Sequence, residues 1–97
     1  MTKRIEWERV TRDEVKRAIE EYDRLGAADF FAEYGYAPAT TYQLLESGRT
    51  YPPKAILGTA YEFAAGTRLS SADFEGGKSG AVTVLTALGF TVEHRPS

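Results

Sequence analysis

The chain has 97 residues, a formal charge of −2 and no cysteine. That length supports one modest core, which we read as a single domain over residues 1–97. The missing cysteines exclude disulfide frameworks, thiol catalysis and thiolate zinc sites, and the negative charge excludes a protein that coats nucleic acid by bulk electrostatics.

The opening residues MTKRIEWERV carry no apolar run after Lys3 and Arg4, so no signal peptide is expected and the chain reads as cytoplasmic. Ile5-Glu6-Trp7 has the composition of a short strand. Thr11 and Glu14 form a T-x-x-E capping box with Val10 and Val15 at the staple positions, so a helix starts there. Val15, Ala18, Ile19 and Tyr22 give it one apolar face, and Gly26 closes it. A second helix, AADFFAEY, ends at Gly35. The acids Asp13, Glu14, Glu20, Glu21 and Asp23 read as a solvated helix face, not as a metal or acid–base pair.

TYQLLESGRTY reads as a hairpin turning at Ser47-Gly48-Arg49. Pro52 and Pro53 end the pairing, since neither donates a ladder hydrogen bond, and both suit the entry to a helix. That helix runs through KAILGTAYEFAA to Gly66. SSADF is a capped turn leading into the glycine loop EGGKSG, and a helix follows from about Ser79 to Leu88. Its apolar residues fall nearly all round, which predicts a central position. FTVEH then alternates as a closing strand. The sum is an α+β fold of about four helices packed on a small, mainly antiparallel sheet.

Gly77-Lys78-Ser79 has the appearance of a nucleotide P-loop ending, but Ala72 stands where the first glycine of the motif is required. The preceding RLSSADFE is polar and lacks the buried strand that such a loop follows. A nucleoside triphosphate is therefore excluded. Glycines, a lysine and a hydroxyl before a helix can still hold one phosphate that belongs to something else.

The order of signals resembles a known family. W-x-x-V-T-x-x-x-V, EYDRLG, FFAEYGYAPATTYQLLESGRTYPPKAILGTAYEFAAG and DFEGGKSGAVTVLTALGFTV are similar to the N-terminal head domain of ScoMcrA-like type IV restriction endonucleases. The most specific pieces are Arg49 through Lys54 to Gly58, the turn from Asp73 to Gly77, and Leu88 to Phe90. The resemblance implies a reader module for phage defence that binds duplex DNA carrying modified cytosine, notably 5-methylcytosine. It implies an HNH nuclease domain or subunit as partner outside this chain, and no catalysis, cofactor or metal in the module itself.

Two constellations fit such a reader. Arg49, Tyr51 and Lys54 cross from a strand end into a helix start, where cations and free amides meet a phosphodiester and a ring is free to stack. Gly77, Lys78 and Ser79, after Gly76, form a second helix start of the same kind. Tyr36, within GYAPATT, and Tyr42, directly after it, are candidates for contact with a modified base. Tyr51 is the first choice for that role. Tyr34 reads as a core residue and His94 as an isolated surface residue. The reading from another class is a protein-interaction adaptor that makes no DNA contact, because Tyr and Arg also dominate protein interfaces.

Overall fold

A computed structural model describes residues 4–38, 41–78 and 80–95. Helix α1 spans Arg12–Leu25 and begins at the full Thr11–Glu14 capping box. The Thr11 amide donates to the Glu14 carboxylate at 2.7 Å. Helix α2 spans Ala27–Tyr34 and stops at Gly35. Strands β1 (Tyr42–Glu46) and β2 (Arg49–Tyr51) form the hairpin, helix α3 covers Pro53–Ala65, α4 covers Ala81–Ala87, and β3 covers Thr91–His94. This is an α+β fold, with four helices against a three-stranded antiparallel sheet in the order β2-β1-β3.

Three local expectations are corrected. Residues Trp7–Arg9 form a 3-10 turn, not a strand. The Trp7 ring sits edge-on against Tyr61 at 5.4 Å and Phe74 at 5.2 Å, and the Tyr61 hydroxyl accepts from the Glu6 amide. These contacts place the segment on α3 instead of the sheet. The hairpin turn holds two residues, since Arg49 pairs with Glu46. Ser47 and Gly48 both take positive φ, 53° and 78°, the conformation that suits the twist of a two-residue hairpin.

The third correction concerns the centre. In α4 only Ala81 and Leu85 are buried, while Thr83, Thr86 and Ala87 face solvent. The central helix is α3, whose residues from Ala55 to Tyr61 are all buried. Its small residues explain why. Ala55, Gly58 and Ala60 let neighbours approach the helix backbone, and α1 packs along it with Val15, Ala18 and Ile19. The closest such approach is at Gly58, where an added Cβ would collide with the Tyr36 ring and hydroxyl.

Replacing Gly58 with Ala is expected to destabilise the fold by about 1–3 kcal/mol, the usual cost of overpacking a filled site. Urea denaturation with an unchanged m-value measures it. A variant as stable as the parent would contradict the packing described.

Candidate nucleic-acid interface

Helix α3 begins at the second of two prolines, which changes its first turn. Pro52 caps it and Pro53 has no N–H to present, while the Ile56 amide already bonds back to the Pro52 carbonyl at 3.0 Å. The amides of Lys54 and Ala55 remain, and among the described residues neither has a hydrogen-bond partner. Both residues line a pocket of about 340 Å³. Its walls are Tyr36, Ala37 and Pro38 from the loop after α2, Thr41 and Tyr42 at the start of β1, Pro52 and Pro53, and Ser71, Gly76 and Gly77.

The glycine loop forms its far wall because it packs on Lys54. A Cβ on Gly76 would lie 3.2 Å from the Lys54 Cβ, and one on Gly77 would lie 3.7 Å from the Tyr42 ring. The Lys54 ammonium stands over the Phe74 ring, 5.3 Å from its centre. That contact gives a lysine in a first helical turn the support that the helix dipole does not. Within the loop, Ala81 donates to the Glu75 carbonyl, and Gly80 and Val82 donate to Gly77. The Thr83 hydroxyl donates to the Lys78 carbonyl. The first two amides of α4 are therefore satisfied within the loop itself. No strand leads into the loop, since Ser71–Asp73 is a capped 3-10 turn, consistent with the absence of a nucleotide P-loop.

The pocket thus unites Tyr36, Tyr42, Lys54 and Gly77. Lys78 follows in sequence and is exposed, but it does not line the pocket. Ser79 lies outside the described residues. Tyr36 forms part of the wall without being a free ring: it is 8% exposed, and its hydroxyl donates to the Leu69 carbonyl at 2.9 Å. Tyr42 is half-buried, with the His94 ring 4.5 Å behind it.

Arg49 and Tyr51 do not join them. Tyr51 is only 5% exposed, its ring edge-on to Tyr22 and its hydroxyl donating to both Asp23 carboxylate oxygens at 3.0 and 2.9 Å. The reading of Tyr51 as a free stacking ring is corrected on that ground. Arg49 pairs with Asp23 at 3.5 Å and borders a separate cleft lined by Asp13, Lys16, Glu20, Asp23 and Glu46. The three-residue constellation of Arg49, Tyr51 and Lys54 is therefore split by the buried tyrosine between its members. Tyr34 is a core residue as expected, with its hydroxyl donating to Glu21 at 2.8 Å. The residue that sequence reasoning missed is His94. Only the β1–β3 register, which sets Tyr42 opposite His94, could have revealed it.

The profile of the ScoMcrA-like N-terminal head domain matches residues 8–94. This chain belongs to that family. The solved structure of the type IV phosphorothioation-dependent restriction endonuclease ScoMcrA is 34% identical to this head domain, with a TM-score of 0.68. The match covers 92% of the head domain and 14% of that chain, so the head domain spans a small part of the nuclease it resembles. No curated protein matches it. No helix among the described residues is long and apolar enough to cross a membrane.

Burial pushes the Tyr36 hydroxyl up to about 12, with the Asp73 charge adding to it. Burial and the bond to Glu21 likewise hold Tyr34 at about 12. Both protons are bound more tightly in the folded head domain than in the unfolded chain, where tyrosine ionises near 10. Their contribution is complete below about pH 10 and declines as pH rises through about 12. Melting temperatures between about pH 9 and 12 are expected to fall, less steeply for Tyr36→Phe than for the parent. Parallel declines would contradict the assignment.

Proposed function

We propose that this head domain is a non-catalytic DNA-binding module that reads a modification in duplex DNA for a restriction nuclease. One observation carries the reading: Lys54 and Ala55, whose amides have no hydrogen-bond partner among the described residues, line the same pocket as Tyr42 and the glycine loop. A cation and two N–H groups suit one phosphate oxygen set. Lys78, exposed at the pocket's edge of the loop, suits a neighbouring phosphate, and Gly77 lets the strand approach closely. Ser79 belongs to the same proposed contact by its place in the sequence. Residues 1–97 act in this reading as one module in the cytoplasm, beside a nuclease domain or subunit outside this chain.

The pocket's Ala37, Pro38, Pro52 and Pro53 supply an apolar wall next to that charge. Such a wall suits a small, weakly hydrated group. Modified cytosine, with 5-methylcytosine first, would set its methyl group there and its ring near Tyr42. A second reading comes from the matched nuclease, which is phosphorothioation-dependent. A sulfur on the backbone would meet the prolines while its phosphate oxygen meets Lys54, so charge and apolar surface would be used by one group.

The adaptor reading keeps one observation of its own. The cleft beside Arg49 carries both signs of charge, from Asp13, Lys16, Glu20 and Glu46, which suits a protein surface better than a phosphate chain.

Fluorescence anisotropy with matched plain, 5-methylcytosine and phosphorothioate duplexes at two salt concentrations tests the proposal. Lys54→Ala and Lys78→Ala are expected to weaken binding to every duplex, each lowering the salt slope by about 1. Tyr42→Ala is expected mainly to erase preference among duplexes, and Arg49→Ala to change little. The preferred duplex identifies the modification. Absence of binding at micromolar protein leaves the adaptor.

A further inference from the structure

A second pocket adjoins the first across a ridge made by Pro38, Tyr42 and Pro52, which line both. It holds about 280 Å³ and is lined by Tyr22, Phe31 and Tyr51, with Gln43, Thr50 and Arg95 around it. We infer that it is a nucleobase subsite, taking one base turned out of the DNA strand whose phosphate lies at Lys54; this rests on the DNA-binding reading above.

Its chemistry differs from that of its neighbour. The first pocket is lined by a lysine at a helix start, and the second by aromatic side chains, the kind of surface on which a base stacks. Tyr42 is a fixed partition between the two. Its ring packs on His94 at 4.5 Å and its edge lies near Gly77, and both contacts restrain it. A base and its own phosphate are separated by one sugar, and the two pockets are neighbours with three lining residues in common. Gln43 supplies a base-edge contact. Its side-chain nitrogen donates to the Glu93 carboxylate at 3.1 Å, which orients the amide and leaves its oxygen to accept from an exocyclic amine such as that of cytosine. Arg95 adds positive charge to the wall, with its backbone fixed by a 2.8 Å bond from its amide to the Thr41 carbonyl.

The test compares two duplexes that differ only in one central cytosine, paired in one and unpaired in the other, each titrated into the full chain. A reader that extrudes a base is spared the unpairing cost by the second duplex, so about tenfold tighter binding is expected. Thr50→Trp, at an exposed strand position where an indole is well tolerated and fills the pocket, is expected to abolish that gain. Gln43→Leu, which keeps the shape and removes the acceptor, is expected to reduce it. Lys54→Ala is expected to weaken both duplexes alike and preserve their ratio. Equal affinity for the two duplexes, or a gain that survives both pocket variants, overturns the inference while leaving DNA binding intact and the aromatic pocket open to a protein side chain. If neither duplex binds, the DNA-binding reading falls and this inference falls with it.

Discussion

The Tyr36 ring lies directly on the backbone of Gly58, and the shape of the candidate site depends on that contact. Gly58 is midway along the most buried helix, so the ring reaches a depth that a side chain there would deny it. Its hydroxyl then bonds the Leu69 carbonyl, joining the segment after α2 to the segment after α3. With Tyr36 fixed, Ala37 and Pro38 are held above the entrance to α3, where Pro52, Pro53 and Lys54 form the facing wall. The pocket is thus a by-product of how the core is closed. Its walls come from parts of the chain that the core already immobilises, which is what a preorganised contact needs.

Two further ties hold the entrance to α3. Tyr51 anchors the end of β2 to α1 through Asp23, and Phe74 supports the Lys54 ammonium from below. Tyr51 therefore sets the position of the proline pair, and it also lines the second pocket. The same network also distributes the charge. Asp23 occupies Arg49 as well, so that arginine is engaged in a mixed-sign cleft while Lys54 stays beside open amides. A chain with net charge −2 has little general attraction for DNA, and its contacts have to be local and shaped.

Backbone-local features were legible in the sequence. The Thr11–Glu14 capping box, the helix ends at Gly26, Gly35 and Gly66, the hairpin around Gly48 and the closing strand all depend on neighbours a few residues apart, and each is present. What could not be read depended on contacts across the fold. Ile5-Glu6-Trp7 has strand composition, but Trp7 finds Tyr61 and Phe74. The α4 sequence is more apolar than its place requires, whereas α3 is central because of small residues that carry no hydrophobic signal. Tyr51 and Lys54 are three residues apart, yet one ring points into the core and the other side chain lines the pocket. His94 enters only through the strand pairing.

The central claim is that nucleic acid meets this fold at the α3 entrance and the glycine loop. The most direct measurement is a titration of the nitrogen-15-labelled chain with modified duplex, followed by amide chemical shifts. The account predicts the largest changes at Lys54, Ala55, Gly76 and Gly77, with residues of the Asp13–Asp23 face of α1 nearly still. Changes concentrated around Asp13, Glu20 and Arg49, with the Lys54 and Ala55 amides unmoved, would contradict it.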